Sequence, residues 1–342
     1  MTARVLVARL DSDGDVLLAG PALRAVAASG AKVTLLCSSR GAQAAHLLPG
    51  IDAIEVFDAP WILADAPPIR RLEIIGLIDD LAALAIDQAL ILTSFHQSAL
   101  PLALILRLAG VRTVAANSVD YPGSLLDVRN LPADDLHEVE RNLSVAGRLG
   151  FELAPDDDGR LAVKDDAPNP LSPDGRDYVV VHPGARAPAR AWTPEANTGA
   201  VHALARVGWR VVVTGGPAER QLGAVVSDAG RVAENLAGET DLPQLAAILR
   251  DAAAVVVGNT GPAHLAAAVG TPVVSLFAPT VPAVRWRPWM VANVILGQQD
   301  IGCAGCRATV CPIPGHPCIS HVTAADVVQA VASVARIPTA AS

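Results

Sequence analysis

Short runs of β-branched and leucine residues recur along this chain, each followed by an alanine- and leucine-rich stretch of helical length. "RVLVARL" (residues 4–10) leads into "VLLAGPALRAVAASG" (16–30), a helix that should end at Gly30. "KVTLLCS" (32–38) leads into "GAQAAHLLPG" (41–50), and "IDAIEVFD" (51–58) is the next strand. A helix is expected over 72–90, with "QALILTS" (88–94) leading into a further strand, then a helical stretch over 96–110 and the strand "VRTVAAN" (111–117). Alternation of this length predicts a parallel sheet with helices on both faces.

At 155–177, "PDDDGRLAVKDDAPNPLSPDGRD", the pattern gives way to proline, aspartate and glycine, the composition of a linker. The alternation then restarts at "YVVVHPG" (178–184) and runs through "WRVVVTGG", "AVVVGN" and "PVVSLFAP", with helical segments between them. The expected organisation is an N-terminal Rossmann-like domain (1–160), a linker (161–177), a second Rossmann-like domain (178–322) and a C-terminal helix and tail (323–342), the helix capped by Thr323. Two such open sheets predict a ligand in a cleft at the C-terminal ends of their strands.

The composition fits this reading. Half the residues are apolar (51%) but only 3% are aromatic, so the bulk is alanine, valine and leucine, as suits parallel sheets under alanine-rich helices. A net charge of −8 without a sizeable Lys/Arg cluster argues against nucleic acid as a partner. No uncharged apolar run reaches the roughly 18 residues of a membrane span. The opening "MTARVLVARLD" is too short in its apolar core for a signal peptide. The expectation is a cytoplasmic protein with at most peripheral membrane contact, at the inner face.

Four constellations carry candidate chemistry. In "NTGPAH" (259–264), directly after an apolar strand, Gly261 permits a tight turn and Pro262 suits the first helical position. The free N–H groups of such a helix start attract phosphate, with Asn259, Thr260 and His264 at hand; the plain alternative is an ordinary cap with a surface histidine. In "HPGARAPARAWTPE" (182–195), Arg186 and Arg190 could grip a diphosphate through forked hydrogen bonds, or form a solvated basic loop. In "RLDSDGD" (9–15), Asp11, Asp13 and Asp15 would repel a phosphate, and G-x-G-x-x-G is absent. These acids either cap the first helix or supply a general base whose pKa the neighbours raise. "CAGCRATVCPIPGHPC" (303–318) packs Cys303, Cys306, Cys311 and Cys318 together. They suit a structural metal, with His316 or His321 as substitute ligands, or reduced thiols, or disulfides. Cys37 reads as a core residue. Weaker signals are His96 in "SFHQS", a candidate on the acceptor side, and "RWRPW" (285–289).

"GDVLLAGPALRAV", "HPGARAPARAWTPE", "LAGETDLPQLAAILRDAAAVVVGNTGPAHLAAAVGTPVVSLFAPT" and the cysteine-rich loop together resemble the ADP-heptose:lipopolysaccharide heptosyltransferases of glycosyltransferase family nine, over residues 4–335. The resemblance implies the α/β GT-B fold, two Rossmann-like domains with parallel sheets facing across a cleft. It also implies an inverting, metal-independent transfer that needs no cofactor. The partners it implies are an ADP-sugar donor, heptose-like, and a glycan or glycolipid acceptor. Carried over by position, Asp15 is the catalytic base. Asp13 and His96, in the N-terminal domain, are candidates on the acceptor side read from the residues themselves. Arg190 stands where the family often has a diphosphate-binding lysine. Asn259, Thr260, Gly261 and His264 fall in the donor motif, and Thr240 and Asp241 fall near the adenosine segment. The chain departs from the pattern at Asn259, where some members carry Asp, and in the acids Asp11 and Asp13. Competing readings are a GT-B nucleotide-sugar epimerase or hydrolase, and a non-catalytic nucleotide-sugar-binding protein.

Overall fold

A computed structural model describes residues 2–62, 66–164, 166–171 and 177–336. The chain forms two compact units that divide after Lys164. In the first, β1 (Arg4–Arg9), α1 (Asp13–Ala28), β2 (Lys32–Cys37), α2 (Ala42–Leu47) and β3 (Ala53–Val56) build one half of a sheet. The other half comes from α3 (Arg71–Ala83), β4 (Gln88–Ile91), α4 (Leu100–Leu108), β5 (Thr113–Asn117), β6 (Val128–Asn130) and α5 (Glu138–Arg148). All six strands are parallel, in the order β3-β2-β1-β4-β5-β6.

The second unit repeats the plan. Its first half is β7 (Tyr178–His182), α6 (Pro194–Arg206), β8 (Arg210–Val213), α7 (Arg220–Val226), β9 (Glu234–Asn235) and α8 (Leu242–Arg250). Its second half is β10 (Ala254–Gly258), α9 (Gly261–Ala268), β11 (Val273–Leu276), α10 (Ala283–Trp286), β12 (Asn293–Leu296) and α11 (Ala324–Val334). The order β12-β11-β10-β7-β8-β9 is again parallel throughout. Each sheet therefore starts at its centre and reverses direction once, between β1 and β4 in one unit and between β7 and β10 in the other. Loops leave such a reversal on opposite faces and open a crevice beyond the strand ends.

The strands form because they are apolar on both faces. Every residue of β7 ("YVVVH") and β10 ("AVVVG") is buried. Each fully buried valine contributes roughly 1.5–3 kcal/mol relative to exposure. Leu6, Leu36, Leu81, Leu102 and Val114 anchor the first core, and Val181, Trp192, Val256, Leu276 and Val327 the second. Gly30 ends α1 as expected, at φ +79°, a left-handed conformation that glycine takes without a Cβ clash. Thr323 caps α11 by accepting from Asp326 N at 3.2 Å, while Asp326 accepts from Thr323 N at 2.8 Å.

Three expectations are corrected. The helix over 72–90 stops at Ala83, because Asp87 is drawn into the sheet beside β1: its N–H donates to Arg4 O at 2.9 Å and its carboxylate accepts from Arg4 N at 3.0 Å. Residues 161–164, expected as linker, fold with the first unit, as do 155–160. Arg24 donates to both Asp157 oxygens at 2.6 and 2.8 Å and to Arg160 O at 2.7 Å, Leu161 is buried, and Lys164 N donates to Leu47 O. Of the remaining linker expectation, 165 and 172–176 lie outside the described residues. The C-terminal helix is not separate either, since Val327 and Val331 of α11 sit in the second core; residues 337–342 lie outside the described residues. Among the described residues no helix is long and apolar enough to cross a membrane.

The Arg24–Asp157 fork generates a prediction. Hydrogen bonds from Arg24 hold the Asp157 carboxyl below the usual carboxylate range, against a smaller effect of burial. Arg24→Ala should destabilise the first unit by about 1.5–3 kcal/mol in urea titrations, the worth of hydrogen bonds to a charged group. Because the folded pKa is depressed, this contribution is present in full above the unfolded value of about 4 and is lost as pH falls through the folded value. The gap between variant and parent should therefore narrow on acidification below about pH 4 and be constant above it, the bond to Arg160 O remaining at low pH.

Candidate functional site

In the first unit the last residue of β1, at the sheet reversal, is an arginine with no exposed surface. Arg9 Nη2 donates to Ser94 Oγ at 2.8 Å, just beyond β4, and to Asp15 Oδ1 at 3.0 Å. Its Nη1 donates to Glu138 Oε2 at 3.5 Å, and its Nε lies 2.9 Å from Asp11 Oδ2. Glu138 Oε1 lies in turn 3.1 Å from Arg141 Nε on the same helix, α5. Asp11 also accepts from Gln97, whose Oε1 accepts from Ser94 N at 3.0 Å.

One guanidinium faces three carboxylates here. Burial opposes the charge on Arg9, but Asp11, Asp15 and Glu138 outweigh it and raise its pKa above the ordinary value. Burial pushes Asp11 and Glu138 above the usual carboxylate range, against the pull of Arg9. The side chains of Arg9 and Glu138 are 0% exposed and Asp11 is 11% exposed, whereas Asp15 is 22% exposed. Asp15 is therefore the member of the cluster best able to meet a solute. It stands in the first turn of α1, where its Oδ2 accepts from the Ser12 hydroxyl at 3.0 Å and weakly from Ser12 N at 3.4 Å.

The structure brings Asp15 and Asp11 together but turns Asp13 elsewhere. Asp13 Oδ1 accepts from Ala44 N at 3.1 Å, so its carboxylate serves the first turn of α2. His96 is exposed in the loop after β4, its ring edge-on to Phe95 at 5.2 Å between centroids.

In the second unit, β7 and β10 end side by side at His182 and Gly258. A Cβ on Gly258 would stand 3.2 Å from Arg190 O, so the backbone of the 188–190 turn crosses the end of β10 at a distance that glycine accommodates. Arg190 Nε donates to Thr280 Oγ1 at 3.2 Å, beyond β11. The turn is pinned by the cysteine-rich loop: Ala189 N donates to Thr309 O at 2.9 Å, and His316 Nε2 lies 3.0 Å from Ala189 O.

Directly after Gly258, Asn259 is buried and its Nδ2 has no hydrogen-bond partner. Thr260 is the N-cap of α9 in extended conformation, yet its side chain caps nothing; Oγ1 reaches Gly258 O at 3.4 Å. The first turn of α9 therefore has no side-chain cap of its own, which leaves backbone donors to an anion. His264 is buried at 4% exposure, which removes the reading of a surface histidine. Thr240 is half-buried. Asp241 is exposed and caps α8, accepting from Gln244 N at 2.8 Å, so its carboxylate is engaged as a helix cap.

Sequence reading missed Arg9, Glu138 and a histidine. His182 is buried, with Nδ1 3.0 Å from Thr214 Oγ1 and Nε2 3.7 Å from Glu219 Oε2. Burial lowers its pKa despite Glu219, so the imidazole is neutral at neutral pH. The Glu219 carboxylate also accepts from Gly216 N at 2.7 Å and occupies the space that a Cβ on Gly184 would need.

Cys303, Cys306, Cys311 and Cys318 line one pocket with His316, Ala189 and Thr280. All are free thiols. Burial, then the neighbouring cysteines, pushes the Cys318 thiol up. Among the described residues no three His, Cys, Asp or Glu side chains are arranged to hold a metal ion. His321 is exposed, with Nδ1 near Pro317 O. Cys37 is a buried strand residue, its thiol pushed up to about 11 by burial. Arg285 and Trp286 of the "RWRPW" stretch are buried in α10.

Comparison with known proteins gives these sites a context. The lipopolysaccharide heptosyltransferase 3 of Escherichia coli (strain K12) is 37% identical over 185 residues, 48% of this chain and 50% of that protein. The chain thus spans about half the length of that curated relative. The structure of E. coli ADP-heptose lps heptosyltransferase II superposes with a TM-score of 0.73 at 20% identity, covering 97% of this chain and 98% of that one. E. coli heptosyltransferase WaaC with ADP-2-deoxy-2-fluoro heptose does so with a TM-score of 0.72 at 22% identity, covering 96% and 99%. At such identities the likeness establishes the fold, which is GT-B. The family model described as glycosyltransferase family 9 (heptosyltransferase) matches residues 75–316, from α3 to the cysteine-rich loop. On that match, which takes in most of both units, the chain belongs to glycosyltransferase family 9, the heptosyltransferase family.

Proposed function

We propose that this protein is an inverting, metal-independent glycosyltransferase that moves a heptose from an ADP-sugar to a hydroxyl of a lipopolysaccharide core acceptor. The observation that carries the proposal is Asp15: a carboxylate fixed by a buried arginine, yet part-exposed at the sheet reversal of the first unit. Family membership supports the reaction class, and relatives solved with ADP and with an ADP-heptose analogue support the donor class.

In this reading Asp15 accepts the proton of the acceptor hydroxyl as that oxygen attacks the anomeric carbon. The C1–O bond to the diphosphate breaks in the same displacement, so configuration inverts and ADP leaves with the electron pair. Arg190 and the uncapped start of α9 at Thr260 and Gly261 stabilise the charge developing on the diphosphate. Asn259, with its unpartnered amide, and His264 complete that donor region. Backbone around Thr240 and Asp241 faces the nucleoside. Asp13 and His96 stand on the acceptor side. The cysteine-rich loop acts here as the brace of the Arg190 turn. Fixed protein charge does the work that a divalent ion does elsewhere. The acceptor being a glycolipid, the enzyme works in the cytoplasm in peripheral contact with the inner face of the membrane.

The test is ADP release from ADP-heptose with and without a heptose-deficient lipopolysaccharide core. Release should require the acceptor and be unchanged in excess EDTA; release without acceptor would instead indicate a hydrolase, and binding without release a non-catalytic protein. Asp15→Asn should keep ADP affinity in calorimetry while turnover falls about 10²–10⁴-fold, the worth of a general base. Turnover within about threefold of the parent, far short of that range, would remove Asp15 from the role. Arg190→Ala should weaken ADP binding roughly tenfold to a hundredfold, as expected for a charge-assisted contact worth about 1.5–3 kcal/mol, and lower turnover as well.

A further inference from the structure

The contacts of Asp15 are unequal at its two oxygens. Oδ1 takes a hydrogen bond at 3.0 Å from a guanidinium that is wholly buried and held at the same time by Ser94, Asp11 and Glu138. Oδ2 is held by the Ser12 hydroxyl at 3.0 Å, a group that can rotate, and only weakly by a backbone N–H at 3.4 Å. The guanidinium is planar and offers its donors at fixed angles, so its other partners determine where Oδ1 sits.

We propose, resting on the reading of Asp15 as the base, that Arg9 is its positioning residue: Arg9 binds Oδ1 and sets the orientation in which the carboxylate takes the acceptor's proton. The step moves one proton from the acceptor hydroxyl to the Asp15 carboxylate as the acceptor oxygen bonds to the anomeric carbon and the C1–O bond to the diphosphate breaks, ADP leaving with that electron pair. Ser94 on the loop after β4 and Glu138 on α5 fix Arg9 from two sides, so the base is aimed by three elements besides its own helix.

The same contact places a positive charge beside the Asp15 carboxylate. Among the described residues, the ionisable groups facing this region include Arg9 from β1, Asp11 from the turn into α1, Asp13 at the start of α1, Arg40 from the turn after β2, and Glu138 and Arg141 from α5. His137, buried at the cap of α5, accepts from Val139 N through Nδ1, and His46 on α2 is exposed. Apart from Arg9, the acids among these groups oppose ionisation of Asp15. Removing the positive charge should raise the pH at which Asp15 becomes a base, by about one to three units for a partner at this range.

Two substitutions separate the charge from the geometry. Arg9→Gln removes the charge, and Arg9→Lys restores it on a single point that cannot bridge Ser94, Asp15, Asp11 and Glu138 together. The readouts are the pH profile of kcat/KM with ADP-heptose and the core acceptor, ADP affinity, and the titration of Asp15 in protein labelled with 13C at aspartate Cγ. The Asp15 resonance is assigned by Asp15→Asn. We expect Arg9→Gln to move the acidic limb and the Asp15 resonance upward together, with ADP affinity unchanged. Arg9→Lys should return both toward the parent while kcat stays about 10- to 100-fold low, the cost of a misaimed group. If Arg9→Gln does not fold, Arg9→Lys carries the test alone. An unmoved Asp15 titration in Arg9→Gln, or full recovery of kcat in Arg9→Lys, would overturn the proposal. Failure of the base reading is seen separately, as turnover surviving in Asp15→Asn while the Arg9 variants still move the Asp15 resonance.

Discussion

The guanidinium of Arg9 is wholly buried and has three carboxylates within 3.5 Å. A buried charge is tolerated only when its donors are met, and removing one partner from such a set typically costs about 3–5 kcal/mol. The partners come from the turn after β1, from α1 and from α5, with Ser94 from the loop after β4. The cluster therefore stitches the two sides of the sheet reversal together at the level where the strands end. Asp11 and Glu138 lie deeper than Asp15, and burial holds both above the usual carboxylate range.

The two units use one topology for opposite electrostatic purposes. At the reversal of the first, acids gather around an arginine beneath them. At the reversal of the second, β10 ends in a glycine, the helix that follows has no side-chain cap, and an arginine turn crosses the strand end. The crevice is generated by strand order alone, and the residues in the following turns decide whether it favours a cation, a hydroxyl or an anion. Even Asp241, acidic and exposed near this second region, has its carboxylate tied to the start of α8.

The sheet centres were legible because strands buried on both faces are unbroken apolar runs, as in "YVVVH" and "AVVVG". Edges were not. β6 and β9 are three and two residues long, too short for any periodicity to register. α5 escaped for a different reason: its buried face carries Glu138, Arg141 and Asn142, so polarity that marks a solvated surface elsewhere marks an interior here. The candidate base was readable from its place between strand and helix, but its support was not, because Arg9 looks like the polar last residue of an apolar strand. The spacing of Arg9, Asp11, Asp13 and Asp15 was the available signal, an arginine followed by acids at every second position. The linker was overextended at its N-terminal side, over 161–164, because composition does not reveal that Leu161 is buried and that the Lys164 N–H closes on Leu47 O.

The turn that carries Arg190 is secured by a residue 127 positions further along, through His316 and Ala189. During synthesis the central strands of the second sheet emerge and can pair well before that residue leaves the ribosome. Until it does, Ala189 lacks this anchor and the arginine has no fixed aim. Closing so long a loop adds little entropy beyond a shorter one, since the cost grows only logarithmically, but it places the event late in assembly. A nascent chain would thus pair its second sheet before the Arg190 turn is set, and exposure of that turn would persist as a mark of incomplete folding rather than of a broken sheet.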